Sequence, residues 1–237
     1  MKKVFLLMIT LLCIWATSGF SQYESGTPDA RMLRFPDIST KAIVFVYAGD
    51  LWVVSKEGGL ARKLSSPKGQ ELFPKFSPDG KTIALTGNYD GNTDVYTIPV
   101  EGGTPTRLTH HPSADVVVAW YPDGKNILYR SRMTSPSRRF NRFFKQSVKG
   151  GLPEELPLPY GELASFSPDG NRMAFQYISR EFRTWKRYRG GMASDLWLYV
   201  SKITPLKILL TLRVRTPFLC GMRILSTFFP TGTRARS

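Results

Sequence analysis

A Pro-Asp-Gly tripeptide occurs three times, at Pro78–Gly80, Pro122–Gly124 and Pro168–Gly170, spaced by 44 and then 46 residues. Each copy follows an aromatic residue (Phe76, Trp120, Phe166) and precedes an apolar run (Lys81–Leu85, Lys125–Tyr129, Asn171–Phe175), and Gly-Gly pairs recur at intervals around them. Proline pre-sets the φ that opens a tight turn, aspartate hydrogen-bonds its own backbone, and glycine reaches positive φ without steric cost. The tripeptide therefore reads as a corner between two short strands. A corner that returns at a fixed period means one supersecondary unit stacked against copies of itself. A unit of this length holding four antiparallel strands is the size of one propeller blade. The expected fold class is all-β: a partial β-propeller of three to four blades, each of four antiparallel strands.

Taken in order, residues 22–37 are polar, carry Pro28 and Pro36, show no period and read as a lead-in. Blades are expected at about 38–69, 70–113, 114–161 and 162–200. In the first, Ile43–Tyr47 and Leu51–Val54 flank Ala48-Gly49-Asp50, which is hairpin chemistry, and Ala61–Leu64 supplies a third strand. The second is the clearest, with strands at Leu72–Phe76, Lys81–Thr86, Asp94–Pro99 and Pro105–Thr109. The third pairs Asp115–Trp120 with Lys125–Arg130 and reaches Phe143–Val148 through a polar, basic loop, Arg132–Arg142. The fourth opens with Glu162–Phe166 and Asn171–Ile178, carries an insertion over Ser179–Ser194, and ends at Asp195–Val200.

The two ends of the chain do not follow this pattern. Lys2 and Lys3 precede an uncharged apolar run, Val4–Ala16, and small residues follow to Ser21, which reads as a signal peptide over residues 1–21. The run is too short for a comfortable membrane span, so no span is expected after cleavage near Ser21-Gln22. The expected location is periplasmic or secreted. Cys13 and Cys220 are the only cysteines, leaving no pair for a bridge in the processed chain. Residues 201–237 contain no acid, no Pro-Asp-Gly and no Gly-Gly, and the expectation is that they are translated out of frame.

The net charge of +15 does not indicate nucleic acid. Two of the 33 basic residues lie in the leader and seven in 201–237, leaving 24 against all 18 acids, a net +6 for residues 22–200. A nucleic-acid face needs clustered Lys and Arg with a reading element, and export argues against it.

No catalytic set emerges from the residues. Asp79, Asp123 and Asp169 sit where aspartate caps its own turn. His110 and His111, on an extended segment, point to opposite sides and have no third ligand nearby. Asn88, Asp90, Asn92 and Asp94 alternate oxygens like a calcium loop, but the closing position, eleven residues after Asn88, is Pro99. There is no Gly-x-Ser-x-Gly elbow, and with only two adjacent histidines no Ser-His-Asp triad is expected. No metal and no cofactor is expected. The basic insertions are the candidate contact surface: Arg138, Arg139 and Arg142, then Arg180, Arg183, Lys186, Arg187 and Arg189 with Trp185 and Tyr188 among them. Arginines so placed can pair with peptide carboxylates or acidic partners, or stack on the aromatics as a contact to another domain or subunit. Arg138, Arg139, Trp185, Arg187, Tyr188 and Arg189 are the residues singled out.

The repeat resembles those of TolB and of the tricorn protease family. The opening Ala42–Trp52 and the run Trp185-Lys186-Arg187-Tyr188-Arg189-Gly190-Gly191 before Asp195-Leu196-Trp197 are similar to the latter. That resemblance implies the front of the first propeller of an exported serine peptidase whose catalytic domains lie downstream. Its role would be a scaffold or a gate for peptide admission and product exit, with peptides, protein partners and downstream domains as neighbours and a homo-oligomer in the full-length form. Family members can carry paired arginines in the connector matching Thr109–Ala114 to hold a peptide carboxylate; here it reads Thr-His-His-Pro-Ser-Ala, without arginine. The alternatives are a TolB-like protein-binding module and the propeller of a prolyl-oligopeptidase-type hydrolase.

Overall fold

The computed structural model describes residues 32–65, 68–137, 139–178 and 195–200. Among them there is no helix; fifteen strands form four antiparallel sheets. The first sheet holds β1 (Leu33–Ile38), β2 (Ala42–Tyr47), β3 (Asp50–Ser55) and β4 (Arg62–Lys63) in that order. The second holds β5 (Gln70–Phe76), β6 (Thr82–Asn88), β7 (Asp94–Pro99) and β8 (Thr106–Arg107). The third holds β9 (Asp115–Trp120), β10 (Asn126–Ser131), β11 (Arg142–Ser147) and β12 (Glu154–Glu155), and the fourth β13 (Leu163–Phe166), β14 (Arg172–Gln176) and β15 (Leu196–Val200).

The corners form as their residues dictate. Gly80, Gly124 and Gly170 have φ of 69°, 65° and 69°, and their N–H groups donate to Ser77, Tyr121 and Ser167 carbonyls at 2.8, 3.0 and 2.9 Å. Oδ1 of Asp79, Asp123 and Asp169 accepts the amide two residues on, at 3.1, 2.8 and 3.2 Å. The Ser77 hydroxyl beside Asp79 holds its carboxyl below the usual range, and the Ser167 hydroxyl, with Asn171, pulls Asp169 down to about 2. These aspartates are turn caps.

The corners also lie one upon the next. A Cβ placed on Gly124 would lie 3.9 Å from Pro78, one on Gly170 would lie 3.7 Å from Pro122, and one on Gly80 would lie 3.5 Å from Ser39, at the matching bend of the first sheet. First strands follow suit, β1 touching β5, β5 touching β9, and β9 touching β13. Side chains fill the space between adjacent sheets. Val44, Val46, Leu51 and Val53 meet Ile83, Leu85, Tyr96 and Ile98; Ala84 and Val95 meet Ile127, Tyr129 and Phe144; Leu128 and Phe143 meet Met173 and Phe175. Burial of each large side chain contributes roughly 1.5–3 kcal/mol, so sheet stacking, rather than strand propensity, holds the array.

One boundary is corrected. The lead-in expected over 22–37 contains β1, which pairs with β2 from Leu33 opposite Tyr47 to Ile38 opposite Ile43. The pairing slips between Arg34 and Asp37, where Phe35 takes a φ of 50° and Pro36 needs no ladder donor. β5 repeats the device at Phe73 (φ 51°) and Pro74, and the two phenyl rings meet at 4.3 Å.

Candidate functional site

The polar chemistry of the described residues is concentrated at the joints between sheets, where it recurs with the repeat. Asp50, Lys63, Ser65 and Glu71 return 44 residues later as Asp94, Arg107, Thr109 and Asp115. At each joint one backbone amide donates back to the preceding sheet: Glu71 to Gly49 at 2.9 Å, Asp115 to Thr93 at 2.8 Å and Gly161 to Asn141 at 2.9 Å. An ion pair ties the start of the third strand to the fourth. It is Asp50–Lys63 (2.8 Å) in the first sheet, Asp94–Arg107 (2.5 Å) in the second and Arg142–Glu155, with the charges exchanged, in the third.

The three joints differ in what stands behind that amide. Glu71, fully buried, accepts from the Leu51 amide at 2.7 Å, from the Ser65 hydroxyl and from the Tyr89 hydroxyl at 2.7 Å. Burial and the Glu71 carboxylate push the Tyr89 hydroxyl well above its usual range. Asp115 is one methylene shorter, and Thr109 Oγ1 takes over, accepting the Val95 amide at 3.0 Å and reaching Asp94 at 3.3 Å. Neither Asp115 oxygen makes a hydrogen bond of ordinary geometry, and burial raises its carboxyl to about 6 against the opposing pull of the Ser131 and Thr109 hydroxyls. At the third joint the acid position is Gly161, because the Phe143 ring occupies the space a side chain would need. A Cβ on Gly161 would stand 2.1 Å from Phe143 Cε2. The acid moves on to Glu162, which accepts from Arg130 at 2.6 Å and Asn141 at 2.8 Å.

Of the contact residues expected from sequence, Arg138, Trp185, Arg187, Tyr188 and Arg189 lie outside the described residues. Arg139 is exposed, with its guanidinium 5.8 Å from the centre of the Phe140 ring. Arg142 is engaged by Glu155. Phe140 opens an aromatic ladder that sequence reading missed: Phe140 to Tyr160 at 4.7 Å, Tyr160 to Tyr177 at 6.4 Å, and Tyr177 stacked on Trp197 at 4.7 Å. Its members come from separate elements, so no local spacing signals them. The oxygens of the calcium-like stretch serve the second joint: Asn92 donates to Asp94 at 3.1 Å and to the His111 carbonyl at 2.7 Å, while Asp90 lies 3.8 Å from Arg107. His111 Nδ1 accepts the Ser113 amide at 3.0 Å. Among the described residues no group of three or more His, Cys, Asp or Glu could hold a metal ion. No described helix is long and apolar enough to cross a membrane.

The profile of the family described as the tricorn protease N-terminal beta propeller domain matches residues 30–225. The chain belongs to that family. Tricorn protease homolog 1 of Streptomyces coelicolor is 34% identical over 168 residues, covering 70% of this chain and 16% of its own length. A tricorn-like protease N-terminal subunit of Sulfurisphaera tokodaii is 25% identical over 191 residues, covering 78% of this chain and 93% of its own. This tricorn-type propeller thus spans about a sixth of the Streptomyces relative and nearly all of the Sulfurisphaera one. The crystal structure of the tricorn protease superposes with a TM-score of 0.63 at 27% identity, over 71% of this chain and 17% of that one. TolB from Acinetobacter baumannii shares the fold (TM-score 0.56, 18% identity, 74% and 42% coverage). The match to residue 225 takes in part of the acid-free segment 201–237.

Proposed function

We propose that this tricorn-type propeller is the non-catalytic front of an exported serine peptidase, serving as a scaffold and peptide gate for catalytic domains supplied downstream. The observation that carries this reading is the commitment of the described charged groups to architecture. Asp50, Asp94, Arg107, Arg142 and Glu155 all form ion pairs within their own sheets, Arg130 pairs with Glu162 across the third joint, and Glu71 is taken up by three donors. Peptide or partner contact falls to the basic, aromatic outer loop around Arg139 and to Arg138, Trp185, Arg187, Tyr188 and Arg189. The test is peptide hydrolysis by purified residues 22–237, alone and with the downstream domains. No turnover by the first and turnover by the second are expected; turnover by residues 22–237 alone would refute a non-catalytic role. Export is tested separately, by fusing residues 1–30 to a reporter that is active only outside the cytoplasm, with an inactive fusion counting against it.

The near-complete coverage of the Sulfurisphaera N-terminal subunit favours a second reading, in which the propeller is a separate polypeptide that docks on its catalytic partner. Co-purification with a separately expressed catalytic chain supports that arrangement, and activity only upon covalent continuity refutes it. A TolB-like binding module, or the propeller of a prolyl-oligopeptidase-type hydrolase, would be continued by a short closing blade or by an α/β-hydrolase segment respectively.

A further inference from the structure

The second joint has a feature the first lacks. Glu71 and Asp115 hold equivalent positions and neither is exposed, yet three donors serve Glu71 while neither Asp115 oxygen makes a hydrogen bond of ordinary geometry, the Ser131 and Thr109 hydroxyls standing near it. From the second sheet the Asp94 carboxylate faces Asp115, itself tied to Arg107, and His111 faces it from the connector. From the third sheet the Tyr129 and Ser131 hydroxyls face it. The Asp94 carboxylate opposes ionisation of Asp115, and Arg107, paired with Asp94, is already engaged. A buried carboxylate with few well-placed donors is unfavourable when ionised. Protonated, it gains an O–H that can donate to Asp94, Thr109 or Ser131.

We propose that the proton on Asp115 sets how firmly the second and third sheets hold together. With the proton on, the carboxyl donates within the joint and repulsion from Asp94 is relieved. With it off, a poorly compensated charge is held beside Asp94, and separating the sheets to admit water relieves it.

The direction follows from linkage. The carboxyl is raised from 3.8 to about 6 in the folded chain, so the folded state binds the proton more tightly than the unfolded one. The associated stability is complete below about pH 4 and is lost as pH rises through about 6, a change of about 100-fold in the unfolding equilibrium. Two measurements on the full chain test this. Carbon-13 titration of the Asp115 carboxyl is expected to give a midpoint near 6, and a midpoint in the ordinary aspartate range overturns the proposal. Unfolding equilibria through the same pH range are expected to lose their slope in Asp115→Asn and to keep it in His111→Gln, the control required because imidazoles titrate in this range as well. A slope that survives Asp115→Asn, or vanishes with His111→Gln, also overturns it. If the Asp115→Asn chain fails to fold, the carboxyl titration decides by itself.

Discussion

Gly161→Ala tests the reading of the third joint, where an aromatic ring replaces an acid. The added methyl would meet Phe143 Cε2, Cδ2 and Cζ at 2.1, 2.3 and 2.5 Å, inside the roughly 3.5–4.0 Å of favourable carbon contact. Phe143 is fully buried and its ring meets Phe175 edge-on at 6.1 Å, so it has little room to withdraw. Contacts this short put the overpacking at the upper end of its usual range, about 3 kcal/mol, and the stiffening of the unfolded chain by alanine returns only about 0.4–1 kcal/mol, so a net loss of about 2 kcal/mol is expected. Phe143→Leu installs the residue that Leu51 places at the first joint, and alone it costs about 1–2 kcal/mol in lost burial and cavity. Combined, the leucine vacates the space the methyl needs. The double variant is expected to be no less stable than Phe143→Leu alone, a coupling of about 1 kcal/mol or more. Urea unfolding with unchanged m-values reads this out. Gly161→Ala within about 0.5 kcal/mol of the parent, or costs that simply add, would refute the steric argument.

Glu71→Ala orphans the Leu51 amide and the Ser65 and Tyr89 hydroxyls together, and is expected to cost about 3 kcal/mol or more, measured by urea unfolding; a loss under 1 kcal/mol would show that water replaces the carboxylate. Exchanging the third-sheet pair to Arg142→Asp with Glu155→Arg restores the polarity of the first two sheets; the double variant is expected to match the parent within about 0.5 kcal/mol, with each single change costing about 1 kcal/mol in thermal unfolding. The three described ion pairs each join residues thirteen apart, and counting thirteen from Asp195 reaches Ile208. Reading the coding DNA beyond residue 200 in the other two frames is expected to place a basic residue at 208 itself, where this chain has Ile208 beside Lys207, and to restore a further Pro-Asp-Gly. If neither frame does so, the tail is native.

The corners were legible because Pro-Asp-Gly carries its geometry in three adjacent residues, and Gly80, Gly124 and Gly170 adopt the positive φ their turns require. Central strands were legible from β-branched runs such as Ile43–Tyr47. β1 was not: Phe35 and Pro36 break its alternation as Phe73 and Pro74 break that of β5, but β5 runs into a Pro-Asp-Gly corner that marks it and β1 does not. The joints were also illegible. Nothing local distinguishes Glu71, saturated with donors, from Asp115, left short by one methylene, and the reason for Gly161 lies eighteen residues earlier at Phe143. The calcium-like run of Asp90, Asn92 and Asp94 has its explanation in Arg107, which pairs with the two carboxylates, and in the His111 carbonyl, which accepts from the Asn92 amide, partners met only once the second sheet has formed.

Stacking of equivalent sheets is what the whole account rests on, and three amides report it directly. The N–H groups of Glu71, Asp115 and Gly161 each donate to the sheet before their own. Residue-resolved hydrogen exchange at about pH 5, where Asp115 carries its proton, is predicted to find all three protected alongside amides inside the sheets, such as those of Leu85 and Tyr129. Exchange of these three at the rate of an unstructured chain, with the in-sheet amides still protected, would mean that the sheets form without stacking, and would contradict the account.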